Sequence, residues 1–239
     1  MKPTPQIRIV RVQYGPFPAA ATLNVKMAPD RPLLYSTLEI CWKAPDPTAA
    51  VSHLEQALLR FSSTFGKHEC RGPRVYHVLL GGDGHHPVHP VAPPFEGALA
   101  LAHIIEHAVI DFLCTVTDEK RCSGVTAALR DPPCRFDLMI ECPDFHLGRC
   151  CLALAVAWLS SAAGGQDLGP EKQKTLAAAR LAYSQPGRPL TPPVVARTLG
   201  CSERQAERAL FELRDAGYLD EFSCTINLSG VPEFRVGAG

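Results

Sequence analysis

The chain has no excess of either charge sign, because 24 Lys and Arg residues balance 24 Asp and Glu residues over 239 positions. Without a basic excess, net charge does not favour nucleic acid or an acidic membrane surface as a partner. No run of about 18 apolar residues indicates a membrane span, and the first residues lack the charged and apolar regions of a secretory signal. We therefore expect a cytoplasmic protein that makes no membrane contact.

The ten cysteines do not have the spacing of a zinc ribbon, since no Cys-x-x-Cys pair occurs. Cys41, Cys114, Cys150 and Cys151 lie inside apolar segments, where a free cysteine behaves as a small hydrophobic residue. The cysteines are therefore predicted to be mostly core residues rather than a disulfide framework.

Hydrophobic periodicity predicts an α+β domain over residues 1–163, with a mixed or antiparallel sheet and packed helices. Strands are predicted at residues 6–13, 21–27, 37–42, 75–80 and 136–141. Helices are predicted at residues 48–61, 96–113 and 147–161. The His- and Pro-rich residues 85–94 are expected to be irregular.

The pattern changes after residues 164–171, which have the Gly-containing composition of a linker. Three helical segments follow, and a capping box formed by Ser202 and Gln205 opens the third. Residues 218–236 then resemble two short strands. Three helices followed by a hairpin resemble a winged helix-turn-helix, so we expect a small domain of this kind over residues 172–239.

The motif His103-Ile-Ile-Glu106-His107 lies in a largely apolar run with helical spacing. Residues four positions apart share one helix face, so both imidazoles can reach one metal ion. Glu106 stands beside the second histidine, where its carboxylate can hold a metal-bound water. This order inverts the His-Glu-x-x-His pattern and occurs among catalytic zinc motifs. The alternative is three solvated side chains on a helix surface.

A catalytic zinc usually takes three protein ligands and one water, so the motif needs a further ligand. Glu141 is favoured because it ends an apolar strand that leads into the next buried helix. The alternative for Glu141 is an ordinary exposed strand end. The other candidates are Asp111, Asp144, His146, His68 and the cluster of His85, His86 and His89.

An ordered set of residues resembles the N-terminal domain of cyanophycin synthetase. The set consists of Gly15-Pro16, His68-Glu-Cys70, the motif within residues 101–109, and Glu141 followed by Gly148-Arg149. The likeness covers about residues 6–160 and includes no part of the ATP-grasp or Mur-ligase-like domains, so synthetase activity is not implied. Some of these N-terminal domains are similar to zinc metallopeptidases, and the inverse motif is shared with pitrilysin-type peptidases. The resemblance implies a stand-alone relative with peptidase-like chemistry.

The predicted mechanism is zinc-dependent hydrolysis of a peptide or amide bond. His103, His107 and Glu141 would hold Zn²⁺, which lowers the pKa of bound water toward about 7. Glu106 would take a proton from the attacking water and later give it to the leaving amine. The residues expected to contact the substrate are Arg121, Arg130 and His68.

A DNA-binding regulator is the alternative function. Its N-terminal domain would be a non-catalytic sensor or a structural zinc domain, and its DNA contacts would come from Arg204, Gln205 and Arg208. From Asp167 onward basic and acidic residues are equal in number, whereas a DNA reader normally has a basic footprint. A docking role for the C-terminal domain is therefore preferred. With either function the protein could form a homo-oligomer.

Overall fold

The computed structural model describes residues 4–24, 26–42, 46–62, 65, 96–129, 134–222 and 232–237. The strand predicted at residues 75–80 and the irregular segment expected at residues 85–94 lie outside these ranges.

Seven helices and six strands occur within the described residues. The N-terminal part contains β1 (Gln6–Pro16), α1 (Ala20–Leu23), β2 (Pro32–Cys41), α2 (Pro47–Phe61), α3 (Glu96–Thr117), β3 (Gly124–Ala128), β4 (Arg135–Glu141) and α4 (Phe145–Ala163). The C-terminal part contains α5 (Pro170–Ser184), α6 (Pro192–Leu199), α7 (Glu203–Asp215), β5 (Leu219–Phe222) and β6 (Glu233–Val236).

The first four strands form one sheet in the order β1-β2-β4-β3, and every neighbouring pair is antiparallel. Strand β4 is central, and its Ile140 lies opposite Leu34 on one side and Gly124 on the other. The expected combination of helices with an antiparallel sheet is therefore confirmed at this level.

Two local predictions in the N-terminal part were wrong or incomplete. Within the strand predicted at residues 21–27, residues 21–23 instead belong to the short helix α1 and residues 26–27 to a turn, because a run of alanines favours a helical turn over a strand. Ala20 and Met27 bury their side chains against Leu33 of the sheet. Strand β3 was not predicted, since five residues containing Gly and Ala carry little strand signal.

The two faces of the sheet pack against different elements. Alternate residues of a strand point to opposite faces, and on β4 Leu138 and Ile140 belong to the main core together with the helices. Met139 lies on the other face, in a smaller cluster that includes Ala20 of α1. On β4 the even-numbered residues therefore face α3, and the odd-numbered residues face away from it.

Helices α3 and α4 form much of the main core. They are 22 and 19 residues long and are apolar enough, by length and composition, to cross a membrane. However, 72% and 56% of their most apolar windows are buried inside the fold. Burial against the sheet and neighbouring helices accounts for this composition.

The cysteines are free, as expected, throughout the described part of the chain. Cys150 and Cys151 are buried in α4 and Cys114 is partly buried in α3. Cys41 is exposed, contrary to expectation. It ends β2 on the same face as Leu33, which is the face opposite to α3.

The helices of the C-terminal part begin and end where the local sequence predicts. Helix α6 follows Thr191 and ends at Gly200, which adopts a left-handed conformation with φ of 63°. The Ser202–Gln205 capping box opens α7. Strands β5 and β6 pair antiparallel, and Leu190 makes an additional bridge to Phe234 of β6.

The hydrophobic core runs without a break from the N-terminal part into the C-terminal part. Trp158 of α4 packs against the rings of Phe61 and Phe112 at centroid distances of 5.8 and 5.1 Å, and the same buried cluster includes Leu176 of α5 and Leu210 of α7. The division into domains at residues 1–163 and 172–239 stays a prediction, but the two parts share one core.

Candidate metal centre on helix α3

The two histidines of the motif face each other on adjacent turns of α3. Their Nε2 atoms are 3.2 Å apart, and their ring centroids lie 4.5 Å apart in an edge-to-face arrangement. Two nitrogen ligands of a tetrahedral zinc ion, each about 2.0–2.1 Å from the metal, are about 3.3–3.4 Å apart. The spacing of His103 and His107 therefore fits two ligands of one ion.

The same contact also fits a hydrogen bond between the two rings. One neutral imidazole can donate from Nε2 while the other accepts there, and the roles depend on the tautomer of each ring. The arrangement of His103 and His107 is thus compatible with a metal pair and with a metal-free hydrogen-bonded pair.

Glu106 is buried between α3 and β3, with 4% of its surface exposed. Its Oε2 lies 3.2 Å from Nδ1 of His103 and accepts a hydrogen bond from the hydroxyl of Thr126. Its Oε1 lies against Gly124, where an added Cβ would be only 2.6 Å away. The carboxylate is therefore held by a ring on its own helix and by the adjacent strand.

This position puts the carboxylate of Glu106 at the Nδ1 edge of the His103 ring. An ion shared by the two histidines would lie at the opposite edge, beside Nε2. The observed contact supports the ring of His103 in the way that carboxylates often support metal-binding histidines. The general-base role of Glu106 stays a prediction.

Glu141 lies on the sheet face opposite to α3, and the structure does not bring it together with the two histidines. It has the same parity on β4 as Met139, which packs in the smaller cluster. Its carboxylate accepts hydrogen bonds from the backbone N–H of Ala28 at 3.2 Å and of Ser123 at 3.1 Å, and the Arg31 guanidinium is 3.8 Å away. These contacts are those of a structural carboxylate, so Glu141 does not serve as the third ligand in this arrangement.

The remaining ligand candidates do not complete the site within the described residues. Asp144 caps α4 by accepting from the Leu147 N–H at 2.7 Å, and His146 lies in the first turn of that helix. Asp111 is buried on α3, one turn beyond His107. Across the described ranges, no group of three or more His, Cys, Asp or Glu side chains is arranged to hold a metal ion.

The expected substrate contacts are only partly described. Arg121 is exposed between α3 and β3. The candidates that lie outside the described residues are Arg130, His68, His85, His86 and His89.

Thr126 and Gly124 are the site residues that the sequence did not reveal. Both lie on β3, which places them against α3 only after it pairs with β4. The sequence signal was a single threonine within a short Gly- and Ala-containing segment, and nothing local connects that segment to a helix twenty residues earlier.

The buried carboxylate of Asp137 also lies on the sheet face that α3 does not cover. It accepts hydrogen bonds from the hydroxyls of Tyr35 and Thr37, both at 2.7 Å. Burial, with the hydrogen bond to Asp137, raises the pKa of Tyr35 to about 12. Both oxygens of Asp137 therefore accept hydrogen bonds from neutral hydroxyls, and these bonds link β4 to β2.

The residues expected to contact DNA are partly engaged within the chain. Arg208 forms an ion pair with Glu171, and Gln205 accepts from the Ser202 N–H in the capping box at 3.2 Å. Arg204 is exposed in the first turn of α7.

Glu212 of α7 joins three helices on the other side of the core. Its carboxylate accepts from Trp158 Nε1 of α4 at 2.8 Å and from the Thr175 hydroxyl of α5 at 2.6 Å, and it pairs with Lys172. Burial alone would raise the pKa of Glu212, but the hydrogen bonds from Lys172, Thr175 and Trp158 hold it below its usual value of 4.5. A cleft of about 450 Å³ between α5 and α7 borders this group.

Comparison with known proteins gives no match, since no protein-family model, no curated protein and no solved structure is similar to the chain. Support for a function therefore comes from the residues and geometry of the site.

Proposed function

We propose that the chain is a zinc-dependent, metallopeptidase-like hydrolase that acts on a peptide or amide bond, with His103 and His107 as two of its metal ligands. The 3.2 Å approach of their Nε2 atoms on adjacent turns of α3 carries the proposal. The ordered resemblance of residues 6–160 to the N-terminal domain of cyanophycin synthetase supports the same class of chemistry.

The residues present fit a zinc ion in the chemistry of their donors. Imidazole nitrogen is a preferred zinc ligand, and a catalytic site combines three protein ligands with an open position. Zinc, when bound, would lower the pKa of a water ligand toward about 7 and polarise a carbonyl group. The described residues supply two of the three ligands.

The residues around His103 and His107 hold the two histidines in place. The apolar neighbours Ile104 and Ile105 are buried on α3, so the helix that carries the histidines is fixed by the core. Glu106 is the buried carboxylate in contact with a proposed ligand, because its Oε2 lies 3.2 Å from Nδ1 of His103. A rigid helix of this kind holds ligands more closely than a loop does.

Metal analysis of the purified protein tests the proposal. We expect roughly one zinc per chain and peptide or amide hydrolysis that a chelator stops and added zinc restores. His103→Ala and His107→Ala should lose both properties, whereas His53→Ala, at an exposed position of α2, should keep them. A wild-type protein without zinc, or a His103→Ala variant that retains it, would contradict the proposal.

For residues 172–239 we propose a winged-helix fold with a docking role. Helices α5, α6 and α7 precede the hairpin β5–β6, and Leu190, between α5 and α6, bridges to Phe234 of β6. This order of elements supports the fold. The alternative, a DNA-binding regulator, would gain support if duplex DNA bound the full chain with a strong salt dependence.

A further inference from the structure

We propose that Thr126 and Gly124 of β3 position Glu106, and that Glu106 in turn holds His103 with its Nε2 directed at the metal. In this arrangement Glu106 acts on His103 as a positioning residue. The inference rests on the proposed metal site for its purpose, but the hydrogen-bond arrangement that it assigns can be measured without metal.

The contact with Glu106 indicates which nitrogen of the His103 ring carries the proton. Glu106 Oε2 already accepts from the Thr126 hydroxyl, and in its 3.2 Å contact with His103 we assign it as the acceptor from Nδ1–H. A neutral imidazole with its proton on Nδ1 carries its lone pair on Nε2. That is the nitrogen of His103 that faces His107.

Thr126 holds the carboxylate of Glu106 in place. The Thr126 hydroxyl donates to the same Oε2 that contacts His103, and the side chain of Thr126 is buried. Thr126 is fixed by the sheet, since it lies opposite Leu138 of the central strand. A carboxylate with one partner on a rigid strand and one on the ligand ring has little freedom to turn away.

Strand β3 leaves space for the Glu106 side chain at Gly124. A Cβ at Gly124 would lie 2.6 Å from Glu106 Oε1 and 2.9 Å from Ile110 Cδ1, closer than non-bonded atoms normally approach. Asn24, which follows α1, donates to the Gly124 carbonyl at 2.9 Å and so ties this end of β3 to the C-terminal end of α1. Glycine at this position therefore allows the strand to lie directly against the carboxylate.

Zinc affinity of the full chain tests the inference through a conservative pair of substitutions. Thr126→Val keeps the shape of the side chain and removes the donor, whereas Thr126→Ser keeps the hydroxyl. Loss of support behind a metal-binding histidine typically weakens metal affinity by about 10–100-fold. We expect a loss of this size for Thr126→Val and nearly wild-type affinity for Thr126→Ser, measured by competition with a chelating dye.

Nitrogen NMR of the metal-free protein supplies the readout that does not need zinc. We expect His103 to carry its proton on Nδ1 in wild type and in Thr126→Ser, and a mixture of both tautomers in Thr126→Val. If the wild-type protein binds no zinc but shows this pattern, the proposed function fails and the positioning stands. If Nε2 of His103 carries the proton in the metal-free wild type, the positioning is overturned.

Gly124→Ala provides a second variant in case Thr126→Val does not fold. The added methyl would displace Glu106 from the opposite side, so the same loss of zinc affinity and the same mixture of tautomers are expected. Unchanged affinity and an unchanged tautomer in a folded Gly124→Ala protein would also overturn the positioning.

Discussion

Glu106 is enclosed by atoms of two elements, and this enclosure distinguishes it from an exposed helix glutamate. Its carboxylate contacts the ring of His103, the hydroxyl of Thr126 and the backbone position of Gly124. A buried carboxylate is costly unless it is hydrogen-bonded. At the scale of single residues, the contacts that would orient a metal ligand are therefore also contacts that stabilise the fold.

Gly124→Ala should lower the stability of the protein because its Cβ would overlap Glu106 and Ile110. Overpacking of this kind typically costs about 1–3 kcal/mol. Urea unfolding followed by circular dichroism measures the loss. Gly169→Ala is the control, since a Cβ at Gly169 would meet nothing within 4 Å, and its effect should stay within about 1 kcal/mol. Equal stability of the two variants would show that the space around Gly124 is not restricted.

The sequence predicted part of the site because part of it is local. His103 and His107 are four residues apart on one helix, and that spacing alone brings their rings together. Thr126 reaches Glu106 only through the pairing of two strands, which no local pattern encodes. The sequence could have shown that Glu141 lies on the sheet face away from α3, since apolar Leu138 and Ile140 alternate with it along β4.

At the scale of elements, α4, α5 and α7 are held together by the carboxylate of Glu212. Trp158 Nε1 and the Thr175 hydroxyl are buried donors that find their acceptor there. Lys172 adds a charged donor from α5. Since a buried donor without an acceptor costs about 1–3 kcal/mol, Glu212 stabilises the packing of these helices in addition to their shared core.

Glu212→Gln should destabilise the protein by roughly 1 kcal/mol at neutral pH, because hydrogen bonds to a neutral amide are weaker than those to a carboxylate. The pKa of Glu212 is lowered in the folded state from its ordinary value of 4.5. Its contribution to stability is therefore present above that value and is lost as the pH falls through the folded pKa. The stability difference between wild type and variant should therefore shrink below about pH 4. Chemical denaturation as a function of pH measures it.

Glu207→Gln, on the same helix, is the matched control for the loss of contacts. Glu207 is partly exposed on α7, and the donors Trp158 and Thr175 contact Glu212 instead, so this substitution should cost less stability at neutral pH. A constant difference between wild type and Glu212→Gln from neutral to acidic pH would show that the Glu212 carboxylate contributes no charge-dependent stability.

Elements whose boundaries are set by local chemistry were predicted well, and elements set by tertiary contacts were not. Helix α6 ends at Gly200 and α7 begins after the Ser202 cap, as their sequences indicate. Helix α1 and strand β3 depend on what they cover or pair with. Strand propensity in particular depends on neighbouring side chains, so a short strand such as β3 carries little signal of its own.

At the scale of the whole molecule, the composition of residues 164–171 and the continuity of the core lead to different expectations. A Gly-containing connection favours two independent units, whereas Trp158 of α4 is buried among Phe61 and Phe112 and donates to Glu212 of α7. Gln173 of α5 also donates to the Phe61 carbonyl at 2.7 Å. These contacts couple the two parts more tightly than a flexible linker requires.

Thermal unfolding should therefore show one cooperative transition for the full chain, with calorimetric and van't Hoff enthalpies that agree. Trp158→Phe removes the donor to Glu212 and leaves a small cavity, so it should lower the single midpoint without splitting the transition. Leu59→Ala, at an exposed position of α2, is the control and should move the midpoint little. Two separate transitions, with only one moved by Trp158→Phe, would instead show that residues 172–239 unfold independently and that the shared core adds little to their stability.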